Sequence, residues 1–405
     1  MLFLRADLSG VKIGLGEPVK VMGAINLSPE SFYKGSVVKD PDEALKKAER
    51  MVEEGASIID IGGMSTAPYL DTYVSPEEEK RRVIPALRKI KDLGVPISID
   101  TQRYEVALAA VEEGATIIND VSGLSDRRVV ELISSMDLSL ILGARGSVKG
   151  DDPVRELRGL LRGALSRASG IREDRIAIDP LIGFFREQEV PWYVWDSKVI
   201  SGLRGLLILG RPICIGVSRK SFIGKIIGEE DPEKRLFGSL SATAIAVYNG
   251  ASLIRTHDVR ETIHAIRIAE FMRKEIDHVR VGEVEAYQFS FDLRAEDFED
   301  FFIEIGSHPQ GAIRMSKKAE MRVIYMKGVR NPVALVIKQE MLASGGEAAL
   351  PSSSIVFGNE RVDLIIVGNL KQLKGLMEKM DLNSKIGGSL SKDFEAVRDA
   401  LSNLI

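Results

Sequence analysis

The chain has 405 residues, of which 44% are hydrophobic and 28% charged, a globular composition long enough for two domains. Its net charge of −4, without a basic stripe, argues against a nucleic-acid partner. A single cysteine, Cys214, excludes an intrachain disulfide; no apolar run is long enough to cross a bilayer, and MLFLRADLSG carries charges too early for a signal peptide, so the expectation is a soluble cytoplasmic protein.

Residues 3–17 read as a short hairpin with turns at Gly10, Gly14 and Gly16. A regular alternation begins at Val19. Short apolar runs at 19–25, 58–61, 96–99, 116–118, 138–142, 175–178, 212–217 and 252–256 read as strands. Amphipathic helices are expected after them, at 41–55, 76–93, 104–113, 126–136, 153–169, 191–208, 232–249 and 259–274. Gly55, Gly94, Gly114 and Gly250 stand where helices need a left-handed residue to stop. Near-continuous apolar strands are buried on both faces, and eight such units fit a TIM (β/α)8 barrel of ~250 residues over 1–274. The alternative is an open doubly wound sheet.

The pattern changes after residue 275. The charged stretch 275–297 is broken by Gly282. Helices at 295–305, 331–344, 370–380 and 391–404 then alternate with strands at 320–327, 354–357 and 362–367. This predicts a second, smaller C-terminal α/β (or α+β) domain over 275–405.

In such a barrel the active site forms at the carboxyl ends of the strands. Those ends carry Asn26, then Gly62 to Pro68, Asp100, Asn119-Asp120, Gly143 to Gly146, Asp179-Pro180, Ser218 to Ser221, and Arg255 with His257 and Asp258. Each has an ordinary reading by itself: Asp258 and Asp100 as helix caps, Asn119 as a turn former, His257 as a satisfied buried ring, Cys214 as a small buried hydrophobe. Together they form a group that is repulsive or unsatisfied without a ligand. Asp100, Asn119, Asp179 and Lys220 match a ring rich in N–H donors and acceptors. Arg255, His257 and the Ser and Thr hydroxyls match a phosphate.

The segments GAINLSPESF, IIDIGGMSTAP, ISIDT, IIND, IDPLIGF, GVSRKSFIG and IRTHDV resemble, in order and spacing, the dihydropteroate synthase family of pterin-binding enzymes across residues 19–272. The resemblance implies a homodimeric barrel that displaces pyrophosphate from 6-hydroxymethyl-7,8-dihydropterin diphosphate with p-aminobenzoate, assisted by Mg²⁺. It implies that Asp100, Asn119, Asp179 and Lys220 grip the pterin and that Asn26 meets the Mg²⁺. Arg255 and His257 would bind diphosphate. Thr66 and Ser221 would lie near the diphosphate and the aminobenzoate carboxylate, and Phe32 and Phe184 would wall the aminobenzoate pocket. Departures from the family pattern are Met64 for glutamate and Ala67 for arginine in the second loop, and Glu30 and Lys34 where aspartates are usual. Strand five ends in GARGSVKG rather than a His-Met segment, and Arg145 or Lys34 stands as a replacement for the missing charge. These changes leave the acceptor open, including a ribosylated arylamine phosphate of the methanopterin type. A corrinoid methyltransferase and a non-catalytic pterin-binding paralogue are the alternatives. The segments IKQEMLASGGEAAL and DLIIVGNLKQLKGL resemble an accessory segment at the amino end of some family members, where a packing or dimerisation role is expected.

Overall fold

The computed structural model describes the chain except residues 1–3, 30–36, 39, 66–72, 274–276, 282–283, 289–293, 355–359 and 405, with backbone alone over 277–288. A hairpin of β1 (Arg5–Leu8) and β2 (Val11–Gly14) comes first. Eight parallel strands follow: β3 (Lys20–Asn26), β4 (Ile58–Gly62), β5 (Ile97–Asp100), β6 (Ile117–Asp120), β7 (Ser139–Gly143), β8 (Ile176–Asp179), β9 (Ile213–Gly216) and β10 (Ala251–Thr256). They close into a barrel in that order, with β10 returning to β3. The connecting helices are α1 (Pro41–Glu53), α2 (Pro76–Ile90), α3 (Tyr104–Glu112), α4 (Arg127–Ser135), α5 (Pro153–Arg167), α6 (Trp192–Ser201), α7 (Ser221–Ile227), α8 (Leu236–Tyr248) and α9 (Val259–Met272).

Local chemistry sets the helix ends. Asp40, Ser75, Asp126 and Asp152 accept from first-turn N–H groups, and Pro41, Pro76 and Pro153 open their helices. Gly55 and Gly114 stop α1 and α3 at φ +108° and +114°.

Side chains alternate across each strand. One set, including Ile25, Ile59, Ile61, Ile99, Ile118, Leu142, Ile178, Ile215 and Ile254, packs into the core shared with the helices. The other set, Met22, Ile58, Ile117, Ile141, Ala177, Cys214 and Leu253, forms one cluster drawn from seven strands. Only the barrel interior lets seven strands share a cluster. Ala6, Leu8 and Ile13 of the hairpin complete that layer. Ser9 ties the hairpin down, its N–H donating to Ser139 Oγ at 3.0 Å and its hydroxyl to the Thr116 carbonyl at 3.1 Å. Cys214 is therefore a filler, and burial pushes its thiol pKa up.

Several boundaries differ from expectation. The helix expected over 191–208 ends at Ser201, and after Gly202 the segment Leu203–Leu209 is 3₁₀. The helix expected from 232 opens as a 3₁₀ turn, Pro232–Arg235. The short α7 was not foreseen, nor was the hairpin of β11 (Asp277–Val281) and β12 (Val284–Gln288).

The chain divides into two compact units, Met1–Phe291 and Asp292–Ile405. The second contains α10 (Ala295–Glu304), α11 (Pro309–Ala319), β13 (Met321–Arg330), α12 (Asn331–Ala343), β14 (Glu347–Ala349), β15 (Arg361–Asn369), α13 (Leu370–Ile386) and α14 (Ser391–Leu404). Its sheet is antiparallel in the order β13-β15-β14. Ile324, Met326, Leu364 and Ile366 pack from the sheet onto Val333, Ile337, Leu373 and Met380, so the unit is α+β. The strand β14 was not foreseen, and of the strand expected at 354–357 only Ser354 is described. Ser352–Ser354 is a 3₁₀ turn, and 355–357 lie outside the described residues. No helix among the described residues is long and apolar enough to cross a membrane.

Leu8 is fully buried in the barrel floor. Leu8→Ala should cost about 2–5 kcal/mol of stability, read as a lowered urea midpoint. A loss under about 1 kcal/mol would show that the hairpin does not seal the barrel.

Candidate active site

Two residues further along the inward-facing set, the apolar layer gives way to charge. Ile58 is followed by Asp60, Ile117 by Asn119, Ala177 by Asp179 and Leu253 by Arg255. On β5 the corresponding step runs from Ser98 to Asp100. The same pleat that builds the floor therefore converges these groups above it.

Arg255 organises the layer. Its Nε donates to Asp60 at 2.6 Å and its Nη2 to Asp100 at 3.0 Å. Asn119 Nδ2 donates to both Asp60 oxygens at 3.4 Å. Asp60 and Asn119 are buried, and Asp100 Oδ1 has no hydrogen-bond partner among the described residues. Burial raises the Asp100 pKa to about 7, against the pull of Arg255 and with the push of Asp60. Burial also raises Asp179, opposed by Lys220. Just after Asp100, Thr101 Oγ1 at 2.7 Å and Arg103 Nη1 at 2.8 Å donate to buried Glu79 of α2, which fixes the β5 end.

Lys220 comes over this layer from the β9–α7 turn. Its ammonium donates to the Ile182 carbonyl and lies 5.2 Å from the Phe184 ring centroid. Burial lowers its pKa to about 8, opposed by Asp179 and Asp196. The 181–186 loop that receives it is held from several sides. Leu181 N–H donates to Asp179 at 2.7 Å, and Gly183 N–H to the buried Asp196 at 2.9 Å. Gly183 has φ +84°, and a Cβ there would meet Lys220 Cδ at 3.4 Å, so both the turn and the close approach favour glycine. Arg186 crosses the loop, with Nε to the Gly183 carbonyl at 3.2 Å, Nη2 to Ser221 Oγ at 2.7 Å, and its guanidinium 4.0 Å from the Trp192 ring centroid.

The structure separates the expected residues. Asp100, Asn119, Asp179, Lys220 and Arg255 form one charge-coupled cluster. Phe184 and Ser221 border it through Lys220 and Arg186. His257 Nδ1 lies 3.0 Å from the Ala24 carbonyl, the satisfied ring foreseen as its ordinary reading. Burial, with Arg255 and Lys47 nearby, lowers its pKa to about 3, so the ring is neutral near pH 7. Asn26 ends β3, where its carbonyl accepts the Val38 N–H at 2.9 Å. Phe32 and Thr66 lie outside the described residues, as do Glu30, Lys34 and Ala67. Arg145 is exposed beyond β7.

Arg219, next to Lys220 in the chain, has a different role. It takes φ +55° and grips Asp258 through two hydrogen bonds of 2.8 and 2.9 Å. Its Nη1 also donates to the carbonyls of Pro232 and Glu233. Asp258 accordingly occupies the α9 cap position without a side-chain cap bond. Asp100 caps no helix either, since its carboxylate goes to Arg255. Sequence reasoning missed Asp60, Arg186 and Asp196. A carboxylate inside the buried run Ile58-Ile59-Asp60-Ile61 was the signal for the first.

The profile of the pterin binding enzyme family matches residues 22–257. The dihydropteroate synthase of Neisseria meningitidis serogroup C is 40% identical over 272 residues, covering 64% of this chain and 94% of that protein. The Xanthomonas albilineans dihydropteroate synthase solved with 4-aminobenzoic acid superposes with a TM-score of 0.59 at 35% identity, covering 67% of this chain and 98% of its own. The Coxiella burnetii dihydropteroate synthase in complex with pteroic acid superposes with a TM-score of 0.59 at 37% identity, over 67% of this chain and 99% of its own.

Arg219→Ala should leave the half-buried Asp258 without its partner and cost about 3–5 kcal/mol, whereas Lys220→Ala should leave the denaturation midpoint nearly unchanged. Equal losses from the two variants would remove the distinction between a structural latch and a ligand-facing lysine.

Proposed function

The chain belongs to the dihydropteroate synthase family of pterin-binding enzymes, and from that premise we propose how its barrel carries the reaction. It is a dihydropteroate synthase-like, pterin-dependent transferase of folate synthesis. The observation that supports the residue roles is the inward layer of Asp60, Asp100, Asn119 and Asp179 beneath Lys220. Carboxylates and an amide at that depth recognise the N–H donors and acceptors of a pterin ring, and the Lys220 methylenes lie over its face. The substrate is 6-hydroxymethyl-7,8-dihydropterin diphosphate. Its methylene C–O bond breaks, the arylamine nitrogen forms the new C–N bond, and pyrophosphate leaves; the amine proton passes to solvent.

Positive charge grows on the pterin methylene as pyrophosphate departs. The carboxylates beneath the ring stabilise that charge, and water is excluded by the packed loop above. Arg255 meets the diphosphate while holding Asp60 and Asp100 in place. His257 binds there as well, and an adjacent diphosphate raises its pKa from the low value of the free site. Thr66 and Ser221 meet the diphosphate and the acceptor carboxylate, and Phe32 and Phe184 flank the acceptor ring. A Mg²⁺ ion, when bound, supplies charge neutralisation and orientation of the diphosphate oxygens. Asn26 offers it a hard amide oxygen. The ion's remaining positions would be taken by diphosphate and water, the usual Mg²⁺ pattern.

The acceptor is p-aminobenzoate or a close relative. Met64 and Ala67 in the second loop favour, as a second reading, a ribosylated arylamine phosphate of the methanopterin type. Equal or better turnover of plain p-aminobenzoate would remove that reading.

Purified protein with Mg²⁺, dihydropterin diphosphate and p-aminobenzoate should release pyrophosphate and form pteroate, detected by mass spectrometry. Asp179→Ala and Lys220→Ala should each lower kcat/KM by roughly 100-fold. The Lys220 amine is charged below about pH 8 and neutral above it, so kcat/KM should fall as pH rises through that value. Pterin binding without pyrophosphate release would move the question to another acceptor, and to the non-catalytic alternative if no arylamine reacts.

A homodimer accounts for apolar surface left on α8 and α9. Phe237, Ile245 and Tyr248 are 81%, 51% and 40% exposed along one stripe of α8, and Ile268, Phe271 and Met272 are 61%, 94% and 66% exposed on α9. Light scattering should give twice the chain mass, and Phe237→Glu with Phe271→Glu should give a folded monomer. An unchanged mass in the double variant would place the contact elsewhere.

A further inference from the structure

The 181–186 loop carries a guanidinium that the pterin-gripping layer does not use. We propose that Arg186 is the specificity-determining residue for the acceptor, recognising an anionic group on the arylamine beside Ser221. This rests on the synthase reading of the same site.

Three observations converge on it. Arg186 Nη2 is already directed at Ser221 Oγ, 2.7 Å away, and Ser221 follows Lys220 directly in the chain. The guanidinium plane is held at both ends, by the Gly183 carbonyl at 3.2 Å and by the Trp192 ring at 4.0 Å. A guanidinium held in one orientation loses little freedom on binding and presents its fork to a carboxylate. The same loop receives Lys220, whose ammonium donates to the Ile182 carbonyl and lies 5.2 Å from the Phe184 ring centroid, and Arg186 helps lower its pKa, so two cations stand at one loop. Like charges placed together are unfavourable, and an anion between them relieves the repulsion. Asp196 offsets part of this charge, but its Oδ1 is spent on the Gly183 N–H, and it is buried beneath the loop rather than at the Ser221 hydroxyl.

Arginine rather than lysine matters here. Stacking on Trp192 needs a planar cation, and two parallel N–H groups are needed to bind both oxygens of a carboxylate while Nε keeps the Gly183 carbonyl. Lysine supplies the charge without either.

The test compares p-aminobenzoate with its methyl ester, which keeps the arylamine and removes the charge. In Arg186→Ala the ratio of kcat/KM for the acid to that for the ester should fall by roughly tenfold to a hundredfold, with Arg186→Lys between the two. Equal losses toward both acceptors would overturn the proposal. A titration without turnover separates this from the synthase reading: p-aminobenzoate is titrated calorimetrically into protein holding the dihydropterin and pyrophosphate. If wild type turns over neither acceptor, the reading with p-aminobenzoate as acceptor fails, and the titration still decides Arg186. Acid binding lost in Arg186→Ala while dihydropterin binding persists supports the proposal; unchanged acid binding overturns it.

Discussion

One arginine between two carboxylates sets the character of the barrel interior. Arg255 reaches Asp60 and Asp100 at once, and Asp179 stands within electrostatic reach of all three. Against those three carboxylates the layer holds two cations, Arg255 and Lys220. A closed barrel cannot dilute that imbalance with water as a surface can, and desolvation instead drives Asp100 and Asp179 upward in pKa. Asp100 Oδ1, without a partner among the described residues, is the structural mark of the same imbalance. A ligand that brings N–H donors and accumulates positive charge during reaction completes such a layer, and a neutral apolar ligand does not.

This cluster persists because its cost is met below and around it. The hairpin β1–β2 seals an apolar floor under the charges. Glu79 locks the residues immediately after Asp100, and the Arg219–Asp258 pair locks the turn that carries Lys220. The strained φ of Arg219 and Leu181, +55° at both, occurs at the two turns that meet across Lys220. Strain of this kind survives only where surrounding bonds over-determine the backbone, and here those bonds come from Asp258, Ser239 and Asp179.

The barrel strands were legible because burial on both faces writes a continuous apolar run, and the helices because their caps are local. The polar layer was half legible. Asp100, Asn119 and Asp179 stand at or next to the ends of their runs, where a charged residue is conspicuous, while Asp60 is enclosed by isoleucines. Arg219 and Lys220 are adjacent cations in sequence, yet one grips Asp258 and the other lies over Phe184. Composition cannot tell those fates apart, because the left-handed turn at Arg219 decides them. The failures in the second unit have the same origin. The strand β14 has only three residues and takes its place from pairing with β15, a long-range contact that no local pattern encodes.

The division between strand and loop also separates two kinds of recognition. In the proposed reading, pterin contacts come from β-strand positions whose spacing is fixed by the pleat, so altering them means altering the barrel. The acceptor contacts proposed above fall instead on Arg186 in the loop after β8 and on Ser221 at the start of α7. Loops can change sequence without disturbing the barrel. A loss of positive charge in the loop after β4 can therefore coexist with an intact pterin layer, and a guanidinium anchored in the loop after β8 can set what the layer's product is joined to. On the proposed roles, the chemistry at the methylene belongs to the strands, and the choice of nucleophile belongs to the loops.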